Sequence, residues 1–338
     1  MTAAATAPVR DWLATLTGDD PRSALAWDPG PLPAAQARDR LGPLGVPEED
    51  RAAVLATLPD PRHDPDRWRA LCGCLRTLFS GPPGREPDWP DAPAGLGAAG
   101  RYFYVHLCLL ALPAARDRQH GAGVTDDVAD ATFADVGAKM TMYRRAHGTG
   151  GFDRQRWVVR HLRGTLHRFG RLQFERARFA AAAVGGPAGP AGPADGDPVL
   201  AVHIPGDGPM RPGDCDDSFR AAHAAVAAEP PAARPRFATC SSWLLDDQLA
   251  EYLRPDSNIV DFQRRFTPVG RSAAGDADIL EFVLDIPPGR AFPAHPPQDT
   301  ALQRAIVGHR RAGRTWRVAH GWVPLGPAAG AGARFSSR

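Results

Sequence analysis

The chain has 338 residues, which is long for one hydrophobic core and favours two domains. Apolar residues make up 43% and charged residues 23%, as in ordinary globular proteins, which excludes a disordered or fibrous chain. The net charge of +2 is too small to indicate a nucleic-acid partner.

The apolar runs and the cysteines indicate the compartment. No apolar run reaches the roughly 18 residues of a membrane span, so no membrane partner is expected. Residues 1–7 lack the basic region and the apolar run of a signal peptide. The five cysteines are odd in number and scattered, which predicts free thiols rather than a disulfide framework. These features predict a cytoplasmic protein.

Residues 1–169 read as a domain of helices joined by Pro-rich turns. Asp64-Pro65 is a typical helix start, and Thr125 is a candidate N-cap for another helix. The stretch 101–112 is apolar nearly all round, which predicts a central helix. A last helix is predicted from about Asp153, with Leu166 and Phe169 on its inward face.

The hydrophobic period changes after Gly170, where residues 170–326 form the second predicted domain. In the segment 171–179, Leu172 and Phe174 alternate with Gln173 and Glu175, which is the pattern of a strand. The following segment, 185–198, is rich in Gly, Ala and Pro and predicts a flexible loop between strands.

The rest of the second domain predicts an alternation of strands and helices. Strands are expected at 198–205, 237–245 and 277–286, the last from the alternation of Leu280, Phe282, Leu284 and Ile286, and a final strand is expected near 314–323. Helices are expected from about Asp214, after 245 and at 299–311. The small residues of the segment 327–338 predict a disordered tail.

Several phrases of the chain resemble one bacterial protein family. They are GRLQFE (170–175), HIPGDGP (203–209), CDDSFRAA (215–222), CSSWLL (240–245) and SNIVDFQRRF (257–266). The family pairs a helical N-acyltransferase N-terminal domain with a C-terminal domain like that of the GNAT acyltransferases. The resemblance implies an α+β fold, in which a helical domain precedes a GNAT-like domain built on a mixed sheet.

The resemblance also implies where an acyl donor would bind. In GNAT enzymes, a Gly-rich loop after a central strand holds the coenzyme A pyrophosphate with its backbone N–H groups and the next helix N-terminus. The matching loop carries Gly206, Gly208 and Arg211, and Arg211 would pair with phosphate. The loop departs from the GNAT spacing, since Pro209 and Pro212 each remove a donor.

Three residues are candidates for acid–base chemistry. His203 ends the strand before the loop, where it can act as a general base or be a histidine hydrogen-bonded at a strand end. Glu175 lies on the polar side of its strand, either as a base or in a salt bridge with Arg171 or Arg176. GNAT enzymes often place a Tyr that protonates the leaving thiolate where Tyr252 stands.

The strand 237–243 is expected to form the other wall of an acyl slot, with Cys240, Ser241, Ser242 and Trp243 contributing to donor binding. Alternation places Cys240 and Ser242 on one face and Ser241 on the other. A buried structural thiol is an alternative for Cys240, and a core position is an alternative for Trp243.

The resemblance implies transfer of an acyl group from acyl-CoA, as a co-substrate rather than a tightly bound cofactor, to a small-molecule amine. One alternative donor is aminoacyl-tRNA, as in transferases of natural-product pathways. Another alternative is a catalytically silent GNAT-like ligand-binding module. Cysteine and histidine spacing predicts no metal site, and the sequence leaves the oligomeric state open.

Overall fold

The computed structural model describes residues 7–17, 27–81, 86–286 and 289–326. The chain divides into two compact units, residues 1–166 and 167–338. The tail expected at 327–338 lies outside the described residues. A helical first part and a mixed sheet in the second confirm the predicted α+β class.

The described part of the first unit is built from helices. They are α1 (Ala7–Thr17), α2 (Ala34–Leu41), α3 (Glu48–Ala56), α4 (Pro65–Ser80), α5 (Gly97–Arg101), α6 (Phe103–Gly121), α7 (Asp126–Phe133), α8 (Asp135–His147) and α9 (Gln155–Arg163). Helix α4 starts as predicted, because the Asp64 side chain accepts a hydrogen bond from the Arg67 N–H and Pro65 occupies the first turn. Thr125 is the N-cap residue of α7.

Helix α6 lies at the centre of the first unit, as the apolar stretch 101–112 predicted. Residues Phe103 to Leu112 are all buried. The helical stretch Ala94–Gly121 is long and apolar enough to span a membrane, but 67% of its most apolar 18-residue segment is buried inside the protein. The central helix of a folded domain has the same length and composition, so packing within this unit explains why the stretch is apolar.

A buried ion pair crosses the first unit. His161 of α9 places Nε2 3.1 Å from Oδ2 of Asp135 in α8, and neither side chain is exposed to solvent. The Trp157 indole N–H donates to the same carboxylate oxygen at 2.9 Å. Burial alone would raise the pKa of Asp135, but the hydrogen bond and the charge of His161 outweigh it and hold this pKa well below its usual range.

The sheet begins earlier than the sequence predicted. Helix α9 ends at Arg163, Gly164 adopts a left-handed conformation, and a strand runs over Leu166–Phe169. The assignment of Leu166 and Phe169 to a helix face is therefore wrong. The glycine ends the helix and turns the chain, whereas the apolar spacing alone fits either a fourth helical turn or a short strand.

The second unit contains one mixed sheet with strand order β1-β2-β3-β4-β7-β5 and with β6 paired to β7. The strands are β1 (Leu166–Phe169), β2 (Leu172–Arg178), β3 (Pro198–His203), β4 (Phe237–Ser242), β5 (Thr267–Pro268), β6 (Ala273–Ala274) and β7 (Arg317–Pro324). Strands β3 and β4 are parallel, while β2 pairs with β3 and β4 with β7 in antiparallel fashion. One sheet face packs on a core that includes Leu172, Phe174 and Val202.

The α-helices described in the second unit are α10 (Pro212–Val226), α11 (Asn258–Gln263), α12 (Asp276–Leu284) and α13 (Ala301–Arg311). Helix α12 replaces the strand predicted at 277–286. Ile279 and Leu284 are buried, but Phe282, which alternation placed in the core, is 49% exposed. Asp276 and Asp278 stand in the first turn, where the helix dipole favours acidic residues.

The Gly-rich segment 185–198 lies largely at the surface between strands β2 and β3, as expected, but part of it packs against the sheet. It forms turns, and Pro193 is buried. A Cβ added at Gly192 would lie 2.8 Å from Cε2 of Trp322 on β7. Ala188 packs against a small cluster that contains Phe179 and Trp322. The composition lacks large apolar side chains, but small residues permit close approach to the aromatic ring.

Candidate active site

The strands β3 and β4 separate at their carboxyl ends. Their hydrogen-bonded ladder stops at the pair Ala201 and Thr239, although β3 continues to His203 and β4 to Ser242. Beyond the last pair, each strand turns an edge of backbone N–H and C=O groups toward the opening. Such an opening at the carboxyl ends of parallel strands is where ligands bind in α/β sheets.

His203 and Glu175 form a hydrogen-bonded pair at this opening. Nε2 of His203 lies 2.9 Å from Oε2 of Glu175, and the side chains are 29% and 19% exposed. With Glu175 ionised, Nε2–H donates and the imidazole lone pair is on Nδ1. This arrangement orients the ring, and the carboxylate charge stabilises the imidazolium that forms when Nδ1 accepts a proton. Of the two arginines considered as partners of Glu175, Arg176 forms a salt bridge with Glu229.

Gln173 shares the sheet face of this pair. It stands directly opposite His203 in the β2–β3 register, so both side chains project from the same side. Gln173 is only 1% exposed, and its side-chain Nε2 has no hydrogen-bond partner in the described part of the chain. Gln173 therefore places a buried amide donor without a partner in the described residues next to the pair, which is uncommon in folded proteins.

The loop between β3 and α10 is held from behind by Arg171. The guanidinium donates to the carbonyl oxygens of Pro205 and Gly208, each at 2.7 Å, and to that of Pro209 at 3.0 Å. Its pKa is lowered by burial, and the neighbouring Asp207 carboxylate acts in the opposite direction. Asp207 also accepts from Arg168 at 2.5 Å, so its negative charge is compensated.

Because three loop carbonyls turn toward Arg171, the loop amides are left for a ligand. The N–H groups of Gly206, Asp207, Gly208 and Met210 donate to no group in the described residues. A Cβ added at Gly206 or Gly208 would meet nothing within 4 Å, so packing does not require glycine there. Small residues, amides without a partner in the described residues and the N-terminus of α10 together are features typical of an anion site.

Arg211 extends this anion site. It is the N-cap residue of α10, and its side chain is 71% exposed, 4.0 Å from Asp214. A loosely held, exposed guanidinium at a helix N-terminus can turn to a phosphate group. The prolines that depart from the GNAT pattern leave the amides of Gly206, Gly208 and Met210 in place.

The four candidates of strand β4 and its continuation separate into two groups. Cys240 is 2% exposed in the core, and burial raises the pKa of its thiol to about 12. Trp243 is 9% exposed in the same core, and Ser242 accepts a hydrogen bond from the Leu244 N–H. These contacts favour a structural role for the three side chains, and their contribution to donor binding stays a prediction. Ser241 projects from the other face of the strand, as alternation predicted.

The Tyr252 side chain contacts residues other than those of the His203–Glu175 pair. Its hydroxyl is 3.0 Å from Nδ1 of His309, and Arg314 donates to it at 3.3 Å. His309 in turn contacts the carbonyl oxygen of Thr315 at 3.2 Å. The role of Tyr252 as an acid stays a prediction, with its hydroxyl engaged by a cluster next to the start of β7.

Two residues of the site escaped the sequence analysis. Arg171 was considered only as a partner of Glu175, because its loop contacts depend on the turn between β1 and β2. His320 lies on the last strand, for which the sequence predicts no contact with Ser241, yet its Nδ1 lies 2.7 Å from the Ser241 hydroxyl. The alternation of that strand puts His320 and Trp322 on one face, and this is the signal that the sequence offers.

Among the described residues, no group of three or more His, Cys, Asp or Glu side chains is arranged to hold a metal ion.

Two family models match the chain along most of its length. A model of an N-acyltransferase N-terminal domain matches residues 35–164, and a model of a GNAT-like C-terminal domain matches residues 166–323. Among curated proteins, no sequence matches the chain.

Solved structures of acyltransferases resemble the chain. An acyltransferase in complex with CoA and 10C-teicoplanin is 35% identical, with a TM-score of 0.77, covering 86% of this chain and 88% of that one. A variant acyltransferase in complex with octanoyl-CoA is 34% identical, with a TM-score of 0.80, covering 94% and 100%. An acyltransferase in complex with decanoyl-CoA and teicoplanin is 33% identical, with a TM-score of 0.80, covering 95% and 100%. The chain therefore belongs to the family of acyltransferases that joins an N-acyltransferase N-terminal domain to a GNAT-like C-terminal domain.

Proposed function

We propose that this protein transfers a medium-chain acyl group from an acyl-CoA to an amine of a glycopeptide-like acceptor. The observation that carries the proposal is the His203–Glu175 pair at the opening between β3 and β4, next to a loop whose amides have no partner among the described residues. The similar acyltransferases bound to octanoyl-CoA, decanoyl-CoA and teicoplanin support both the donor and the acceptor class.

The donor fits the site by its chemistry. The pyrophosphate of coenzyme A carries the negative charge that the loop amides, the α10 N-terminus and Arg211 favour. Its pantetheine arm contains two amides in an extended chain, which can hydrogen-bond the unpaired edges of β3 and β4. This placement directs the thioester toward His203.

The reaction is direct attack of the acceptor amine on the thioester carbonyl. His203 takes a proton from the attacking nitrogen at Nδ1, while Glu175 holds Nε2–H and stabilises the resulting imidazolium. The new C–N bond forms, the C–S bond breaks, and coenzyme A leaves as a thiol once its sulfur is protonated. Positioning of the two substrates in the opening contributes the larger part of the rate acceleration.

The proposal is tested by incubating the purified protein with octanoyl-CoA or decanoyl-CoA and teicoplanin from which the acyl chain has been removed. Release of free thiol and a mass gain of one acyl group on the glycopeptide are expected. Aminoacyl-tRNA serves as the competing donor in a parallel reaction. Transfer from aminoacyl-tRNA alone would establish that alternative, and saturable acyl-CoA binding without turnover of any amine would favour a silent binding module.

A further inference from the structure

A second hydrogen-bonded pair faces His203 across the opening. If the β3–β4 ladder continued beyond Ala201 and Thr239, its next pair on the same face would be His203 and Ser241. The strands separate there, so His203 borders the opening on one side and Ser241 on the other. His320 stands directly opposite Ser241 in the β4–β7 register, and its Nδ1 lies 2.7 Å from the serine Oγ.

The Ser241 hydroxyl has no structural task among the described residues. The next residue, Ser242, caps the following turn by accepting a hydrogen bond from the Leu244 N–H, whereas the Ser241 hydroxyl contacts His320. Burial lowers the pKa of His320, so its imidazole is neutral near pH 7. A neutral imidazole next to a hydroxyl passes protons through its two nitrogens without holding a charge.

Acyl transfer from a thioester needs two proton-handling groups. The attacking amine gives up a proton, and the departing sulfur must receive one. The His203–Glu175 pair accounts for the first transfer, and the opening places a hydroxyl opposite it for the second. On the basis of the proposed function, we propose that Ser241, held by His320, donates the proton to the leaving thiolate.

The proton transfers balance. As the C–S bond breaks, its electron pair goes to sulfur, which takes the Ser241 hydroxyl proton. The serine oxygen takes the Nδ1 proton of His320, and Nε2 of the same ring takes a proton from water. The proton lost by the amine resides on His203 and returns to solvent, where it neutralises the hydroxide left by that water. Exchange of the His320 ring protons with solvent then restores the Nδ1–H tautomer and the starting state of the enzyme.

Other candidates for this role are worse placed. The Tyr252 hydroxyl contacts His309 and Arg314, and the Cys240 thiol projects into the core on the opposite sheet face. Ser241 itself lacks the arrangement of a nucleophile, because no carboxylate contacts His320 in the described part of the chain. In nucleophilic serines, the base is in turn oriented by such a third group.

The test compares Ser241→Ala and Ser241→Thr in octanoyl transfer to the deacylated glycopeptide. The alanine variant is expected to lose on the order of tenfold to a hundredfold in kcat, near the low end for general acid catalysis, because an alkanethiol is a moderate leaving group. Its KM for octanoyl-CoA is expected to stay within about twofold. The threonine variant keeps the hydroxyl and is expected to keep most of the activity. Thr239→Val, which removes a hydroxyl from the same strand and face, is the matched control.

Different outcomes separate this inference from the proposed function. Wild-type protein that fails to transfer octanoyl groups contradicts the proposed function. An active wild type with an unaltered Ser241→Ala variant contradicts only the role of Ser241, and so does a loss confined to KM. An acyl group bound covalently to the wild type in the absence of acceptor, and missing from the alanine variant, would make Ser241 a nucleophile and overturn its assignment as a proton donor.

Discussion

Glu175 lies diagonally across the β2–β3 ladder from His203, and a 2.9 Å hydrogen bond joins the two side chains. The residue directly opposite His203 is the buried Gln173, so the carboxylate reaches the imidazole from the neighbouring same-face position. Both strands are held by backbone hydrogen bonds, and the geometry of the pair is therefore fixed by the sheet rather than by a mobile loop.

The first prediction concerns this pair. His203→Ala is expected to lower kcat by a factor on the order of a hundred or more, because the amine loses its proton acceptor. Glu175→Gln is expected to lower kcat less, since it keeps the ring in place but removes the charge that stabilises the imidazolium. Steady-state kinetics with octanoyl-CoA provide the measurement, alongside thermal unfolding.

A matched control is His63→Ala in the first unit. His63 also contacts a carboxylate, with Nδ1 3.1 Å from Oδ1 of Asp60, but its side chain is 85% exposed. This variant is expected to retain wild-type kinetics. Unchanged turnover in His203→Ala would remove His203 from the reaction.

The second prediction concerns the anion loop. Arg171→Lys is expected to raise the KM for acyl-CoA about tenfold with little change in kcat. The lysine ammonium lacks the planar guanidinium that donates to three loop carbonyls at once, so the loop would be held less firmly. Arg211→Ala is expected to raise the same KM through loss of a phosphate contact, with a weaker salt dependence of binding. Comparable thermal unfolding of wild type and Arg211→Ala is expected, since that side chain is exposed. A normal KM in Arg171→Lys would show that the loop keeps its shape without the fork.

The third prediction concerns pH and the buried Asp135–His161 pair. The pKa of Asp135 is lower in the folded protein than the value near 3.9 expected for an unfolded chain. Its ionised form therefore stabilises the fold above about pH 4, and this contribution is lost as the pH falls through the folded-state pKa. Asp135→Asn is expected to lower the free energy of unfolding by about 3–5 kcal/mol at pH 7, and by less at pH 3.

Urea unfolding between pH 7 and pH 3 measures this difference. The control is Asp66→Asn, which breaks an exposed ion pair with Arg69 and is expected to change the free energy of unfolding by less than about 1 kcal/mol. A loss in Asp135→Asn that stays constant down to pH 3 would contradict the linkage.

The fourth prediction concerns the packed Gly-rich segment. Gly192→Val is expected to lower stability by about 1–3 kcal/mol, because its side chain would overlap the ring of Trp322. Gly186→Ala is the control, since a Cβ there has its nearest neighbour at 3.7 Å, an ordinary contact. Equal melting temperatures for both variants would indicate that the segment moves away from the sheet in solution.

The fifth prediction concerns the thiols. All five cysteines are free and buried, and burial raises the pKa of Cys72 and Cys108 to about 12 and that of Cys215 to about 11. Native protein at pH 8 is expected to react slowly with a thiol reagent, because the thiolate is the reactive form. Denatured, non-reduced protein is expected to yield five thiols. A lower number in fresh protein would indicate an oxidised pair.

Helices and strands were predictable where residues close together in the chain determine the secondary structure. The helix after Asp64 follows from a cap and a proline, and the strand at Leu172–Arg178 follows from its alternation. The helix at Asp276–Leu284 was misassigned because its apolar residues satisfy both periods over so short a stretch. Only tertiary packing, which leaves Phe282 outside, distinguishes the two.

The site was predictable only in part, because its contacts join distant segments. His203 followed from its place at a strand end, and Glu175 from its polar strand face. Ser241 and His320 are 79 residues apart, and their contact depends on which strands pair and in what register. A single sequence does not determine that register when two strands are separated by so many residues.

The support of the anion loop by Arg171 has an evolutionary consequence. The Arg171 guanidinium donates hydrogen bonds to main-chain oxygens, so it fixes the path of the loop without using the side chains of the loop itself. Natural selection can then replace loop residues one by one, even with proline, as long as the arginine outside the loop is kept. In a lineage that drifts in this way, the recognition of coenzyme A outlasts the sequence motif by which it is usually detected.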